Sequence, residues 1–163
     1  MNIKNIGIAA CLLIVAFFFL RACFTGPEGQ IRKQLAELED LVSYEAGEGN
    51  LDALTKVKRL GGLFTEEVAI NLTGFAGARK VEGRKQVQQA AMAARSQVGS
   101  LRASLHDINV EVAEDQTSAT AEATGRAKVA GERSSAVQDF VFTFEKTPEG
   151  WLIAEVKTVQ ALR

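Results

Sequence analysis

Apolar positions along the chain fall into three successive patterns. Residues 6–20 (IGIAACLLIVAFFFL) are apolar on every side, between Lys4 and Arg21. From residue 30 to residue 98 apolar positions recur at helical spacing, and after Gly99 the period changes to two. In the middle stretch Ile31, Leu35, Leu38 and Val42 define a first helix that Gly47 and Gly49 end. Asn50 is a suitable N-cap for a second helix, with Leu51, Leu54, Val57, Leu60 and Phe64 on one stripe. Gly61 and Gly62 each weaken its end by ~1 kcal/mol relative to Ala, a cost that close helix packing would explain. Residues 68–72 (VAINL) predict a short strand, Gly74 and Gly77 a turn, and residues 78–82 a return strand. A third helix is predicted over 84–98, with Val87, Ala91, Ala94 and Val98 small enough to lie close against a sheet.

Beyond Gly99, Ile108, Val110 and Val112 alternate with polar neighbours. So do Ala119, Ala121, Ala123, Ala127 and Val129, then Phe140, Phe142 and Phe144, and residues 151–159 form a last strand. Turn chemistry at Glu114-Asp115, Gly131-Glu132-Arg133 and Pro148-Glu149-Gly150 separates them. The apolar phase shifts between Leu105 and Ile108, as a bulge would require. These elements predict an α+β fold: three N-terminal helices packed in an antiparallel sheet, preceded by one transmembrane helix. The division is a membrane segment over 1–24, a linker over 25–29 (TGPEG) and a domain over 30–163.

The N-terminal run spans only ~22 Å as a helix, against a bilayer core of ~30 Å. Extension through Ala22, Cys23 and Phe24 supplies most of the difference if Arg21 reaches towards the interface. A permanent signal-anchor is the preferred reading, because no small-x-small cleavage site follows the apolar core. Leu20-Arg21-Ala22-Cys23 also resembles a bacterial lipobox, which makes Cys23 a lipidation candidate; Arg21 departs from that pattern. The short leading tail favours the N-terminus inside and the domain on the outer, periplasmic face of a bacterial-type cytoplasmic membrane.

Composition narrows the chemistry. Removing Lys4 and Arg21 from 19 basic residues leaves 17 against 20 acidic ones, so the domain has no basic footprint for nucleic acid. Both cysteines, Cys11 and Cys23, lie in or beside the apolar segment, and His106 is the single histidine, which argues against a zinc centre; no metal is expected. No cofactor motif is present: Gly83-Arg84 lacks the spacing of a phosphate loop.

Residues 63–87 (LFTEEVAINLTGFAGARKVEGRKQV) run from an apolar pair through an acidic pair, a strand and a glycine turn to a Gly-Arg that opens a helix. Together with the closing Glu149-Gly150-Trp151-Leu152-Ile153, this order resembles the nuclear transport factor 2-like superfamily, which includes SnoaL-like and ketosteroid-isomerase-like proteins. The resemblance covers about residues 30–163 and implies a cystatin-like cone, its sheet curled around the helices and enclosing a pocket. It also implies where an isomerase-like base would stand. That slot falls on residues 71–73, most nearly Leu72, and none of Asn71, Leu72 and Thr73 is a carboxylate. Tyr44, the one tyrosine, comes late for the family's helix tyrosine.

His106 remains the candidate catalytic group, with Asp107 beside it but pointing to the other strand face unless a bulge intervenes. Glu66-Glu67 and the pair Asp139 and Glu145 read as solvated. Arg79, Lys80, Arg84 and Lys85 form a local basic cluster that reads as a solvated patch, or as a seat for an anion or a lipid headgroup. Pocket-lining candidates are Leu72, His106, Phe140, Phe142, Phe144 and Trp151.

The function expected is a membrane-anchored, non-catalytic binding or assembly module with a small apolar pocket. Its partners would be membrane lipid, a small apolar ligand and a second copy across the sheet. The alternative is a cofactor-independent pocket enzyme, isomerase- or dehydratase-like, acting on a small hydrophobic molecule. The anchor is tested by fractionation. The full chain is expected to pellet with membranes and to resist carbonate extraction, while a chain lacking residues 1–24 stays in the supernatant. Full-length chain free in the soluble fraction would rule the anchor out.

Overall fold

The computed structural model describes residues 26–73 and 79–159; the apolar segment, Cys11 and Cys23 lie outside them. Among the described residues no helix is long and apolar enough to cross a membrane. Helix α1 (Pro27–Val42) starts with Pro at its first turn, where the missing N–H costs nothing and φ is already set. It buries Ile31, Leu35, Leu38 and Leu41. Helix α2 (Asn50–Gly62) is capped by Gly49 rather than Asn50 and buries Val57, Leu60 and Gly61.

The first half of the α2 stripe stays in solvent: Leu51 is 80% and Leu54 57% exposed. Periodicity marked the face correctly, but nothing among the described residues covers that half. Gly61 does sit at a close helix contact, since a Cβ there would collide with the Gln88 side chain of α3 (Arg84–Gln97); beside Gly62 there is open space. Helix α3 packs mainly on α2 and buries only Val87, so the expected Ala stripe against the sheet is a minor contact.

Strand β1 (Phe64–Leu72) begins four residues before the predicted strand, and β2 (Arg79–Glu82) returns beside it. The added residues 64–67 have no alternation to reveal them; the structure holds them by Arg84. Its Nε and Nη2 donate to the Phe64 carbonyl at 3.0 and 2.6 Å, and Nη1 meets Glu66 Oε1 at 2.7 Å. Gly83, at φ +83°, donates its N–H to the Val68 carbonyl at 2.7 Å. The Gly-Arg that opens α3 is thus a clamp on β1.

Strands β3 (Leu101–Val112), β4 (Ser118–Val129), β5 (Ala136–Thr147) and β6 (Gly150–Val159) form the meander expected from the period of two. The six-stranded sheet has the order β2-β1-β6-β5-β4-β3. Two sequence expectations need correction. Only α1 and α2 precede the sheet, α3 lying between β2 and β3. The sheet is also mixed, because β6 runs parallel to β1: the meander starts at the far edge and its last strand arrives beside β1 in the same direction.

Facing positions interlock by size. Phe140, Phe142 and Phe144 of β5 stand opposite Ala123, Ala121 and Ala119 of β4, so large rings lie beside small neighbours. The phase shift in β3 is a bulge, with a register break between His106 and Asn109 and Asp107 at φ +52°. Leu105 and Ile108 thereby both face inward.

The outer edge of β3 is covered by α1 and the residues just after it. Tyr44 and Leu101 exchange backbone hydrogen bonds at 2.8 and 2.9 Å. Ser43 Oγ accepts the Ala103 N–H at 3.0 Å, and Glu39 Oε2 accepts the Leu105 N–H at 2.9 Å. Arg32 Nη1 donates to the Ile108 carbonyl at 3.0 Å.

Phe144 is fully buried, whereas Phe142 is 4% exposed and borders the cavity described below. Phe144→Ala is therefore expected to cost ~3–5 kcal/mol, and Phe142→Ala less, because its neighbours already have room. Urea unfolding of both variants checks the order; an equal or reversed cost would contradict it. In the same assay Ser43→Ala should cost ~1–3 kcal/mol by leaving the Ala103 N–H without its partner.

Candidate functional site

One end of the curved sheet does not close. There the C-terminal ends of β1, β4 and β6 and the N-terminal ends of β2, β3 and β5 surround a cavity of about 450 Å³, within the ~300–1,000 Å³ usual for small-molecule sites. Helix α1 supplies Leu38 and Val42, and β1 supplies Ile70 and Leu72. Opposite them stand Leu101, Ala103 and Leu105 of β3, Phe140 and Phe142 of β5, and Val156 of β6. Gly125 of β4 has a specific part in this wall. A Cβ there would stand 2.5 Å from the Phe140 ring, so the ring lies over bare backbone.

Five polar side chains share this apolar wall: Glu39, Thr73, Arg79, Gln138 and Thr158. Ser104 and Arg126 border it as well, but strand alternation turns their side chains to the other face. Thr73 and Thr158 bind each other, the Thr73 N–H donating to Thr158 Oγ1 at 2.7 Å and that hydroxyl donating to the Thr73 carbonyl at 3.0 Å. Gln138 Nε2 donates to the Val159 carbonyl at 2.8 Å. Glu39 spends one carboxylate oxygen on the Leu105 N–H. Arg79 shares its sheet face with its partner Leu72 and is exposed at the cavity's edge.

The sequence candidates divide. Leu72, Phe140 and Phe142 line the cavity, and Leu72 leaves the isomerase-like base slot apolar. His106 does not line it. The residue is exposed on the outer face, where its Nε2 lies 2.9 Å from Ser104 Oγ. The bulge explains this: it follows His106 instead of preceding it, so His106 keeps the outward phase of Ser104. Phe144 and Trp151 face inward but lie towards the other end of the sheet, within the packed core.

Tyr44 also points elsewhere, donating its hydroxyl to the Ala94 carbonyl at 3.1 Å under the Arg95 guanidinium. Burial pushes its phenol above the ordinary value, and Arg95 opposes that shift. The basic cluster disperses. Lys80 pairs with Glu82 at 2.7 Å, Arg84 clamps β1, and Lys85 is exposed. Asp139 accepts a bond from Thr124 on the outer face, at 2.7 Å.

Sequence reasoning missed Glu39 and the placement of Arg79. Glu39 lies four residues after Leu35 and three before Val42, half-buried at the flank of the apolar stripe of α1. A carboxylate on an apolar stripe was the available signal. A second, polar depression lies between the α1–α2 connection and β3–β4. Charges there answer one another, Glu48 with Lys56 at 2.6 Å and Glu45 with Arg102 at 3.3 Å. Among the described residues no three His, Cys, Asp or Glu side chains gather as metal ligands.

Comparison with known proteins agrees with this geometry. No curated protein matches the chain in sequence. Among solved structures, a nuclear transport factor 2-like protein with a cystatin-like fold from Novosphingobium aromaticivorans superposes with a TM-score of 0.63 at 19% identity, covering 96% of this chain and 88% of that one. A provisionally named scytalone dehydratase from the same organism gives 0.60 at 14% identity, over 80% and 83%. A protein of unknown function from Mycobacterium tuberculosis gives 0.61 at 18%, over 81% and 74%. At these identities the superpositions establish the cystatin-like cone and nothing finer. The SnoaL-like domain model matches residues 51–157, about two thirds of the chain. The chain therefore belongs to the SnoaL-like domain family.

Proposed function

We propose that this domain is a binding module for a small, largely apolar molecule, held at the outer face of a cytoplasmic membrane by its N-terminal segment. The observation that carries the reading is the cavity, whose wall is apolar apart from five side chains, four of them already hydrogen-bonded within the chain. Binding there needs no catalytic group. Release of apolar ligand surface from water supplies the affinity, at ~25 cal/mol per Å².

A second reading is favoured by one specific observation, the Glu39 carboxylate in the cavity wall. Only one of its oxygens is engaged, so the other is available as a proton acceptor for a pocket enzyme. In this alternative Glu39 takes the place of His106, the one candidate base that the sequence offered.

The binding reading is tested by thermal unfolding of the full chain in lipid nanodiscs, with neutral aromatics from benzene to anthracene. Saturation a hundredfold above Kd should add ~2.7 kcal/mol of stability. Leu72→Trp, which fills the cavity, should remove the gain. No stabilisation by any size in the series would refute the reading. Turnover of enolisable or dehydratable substrates decides the second. Glu39→Gln keeps an oxygen for the Leu105 N–H but loses basicity, so activity that vanishes in this variant at unchanged stability would establish the enzyme.

A further inference from the structure

Arg79 differs from the other polar groups of the cavity in having no hydrogen-bonded or ionic partner among the described residues. It opens β2, one edge strand, and the antiparallel register places it on the same face as Leu72. Glu39 comes from the opposite side, where α1 covers the other edge strand, β3. Arg79 and Glu39 thus border the cavity from opposite sheet edges, with an apolar wall between them.

From this asymmetry we infer that the ligand is an amphiphilic anion: an apolar body with one terminal carboxylate, its head held by Arg79 at the cavity's edge. Two consequences of the geometry support that orientation. The guanidinium offers a planar pair of donors that fits a carboxylate with two parallel hydrogen bonds, and these are stronger for being charge-assisted. The Glu39 carboxylate repels an anion from its own side, so the head has one favourable place. The Gln138 side chain, on the inner face of β5, borders the same cavity. Its Nε2 is committed to the Val159 and Asp139 carbonyls, so it is not a second free donor for an anionic head.

This inference rests on the cavity being a ligand site, and the test separates the two. Isothermal titration of the full chain in nanodiscs, with empty nanodiscs as blank, would use octanoate, 4-phenylbutyrate and 2-naphthaleneacetate. Each acid is compared with its primary amide, and 4-phenylbutylamine serves as the cationic counterpart. We expect at least one acid to bind about tenfold or more tightly than its amide. Arg79→Gln should bring the acid down to the level of the amide and leave the amide unchanged. Arg79→Lys should retain part of the preference, because it keeps the charge but not the fork. An unchanged amide affinity also shows that the variant cavity is intact.

Equal binding of acid and amide to the unaltered chain would overturn the anionic head while leaving the apolar site standing. Tighter binding of the amine, lost in Glu39→Gln, would overturn it in favour of a cationic ligand. No binding of any probe would remove both the inference and the site on which it rests.

Discussion

Helix α1 takes the place of a neighbouring strand along the free edge of β3. Glu39, Ser43 and Tyr44 meet the amides of Leu105, Ala103 and Leu101 in turn, so the helix and its exit run antiparallel to the strand they cover. The partners are 66 and 60 residues apart for the two side-chain bonds, so this closure is tertiary and nothing local enforces it. An open edge would present unpaired N–H and C=O groups to any other chain. Covering it satisfies those groups and brings the apolar stripe of α1 over the concave face of the sheet. The core and the cavity both exist because that stripe is placed there.

Cavity and core are two ends of one helix–sheet interface. Towards the N-terminal part of α1, Ile31 and Leu35 are wholly buried in one cluster with Phe144, Trp151 and Ile153. At the other end α1 stops at Val42, while the strands contribute Ala103, Gly125, Ala127 and Ala136. A helix that stops above a floor of small side chains leaves space. The same helix end sets Glu39 in the wall, where one carboxylate oxygen serves the β3 edge.

What the sequence revealed was whatever depends on near neighbours. The period of two after Gly99 located the meander, the lost phase between Leu105 and Ile108 located the bulge, and Gly61 signalled a helix contact. Depth along a strand was not legible: alternation sends Phe144 and Phe142 to the same face, and only the reach of α1 decides which one borders open space. The placement of His106 depended on which side of it the bulge falls, a difference of one or two residues that hydropathy does not resolve. The direction of β6 beside β1 was equally hidden, since it depends on where the meander joins the sheet. Residues 64–67 lacked alternation because Phe64 alone among them is buried, while the Arg84 guanidinium clamps the segment.

The Phe140 ring resting on the bare backbone of Gly125 has a consequence for the size of the chamber. Most of the core is constrained from several sides, so altering its volume disturbs many neighbours at once. This one contact is different. A methyl group added at residue 125 would force the ring to move, and a smaller side chain at residue 140 would deepen the chamber, with the β4–β5 ladder unbroken in either case. The volume of the chamber is thereby set in part by a single side-chain-on-backbone contact. In such an arrangement the chamber can be reshaped at residues 125 and 140, which take no part in the α1 hydrogen bonds that cover the β3 edge.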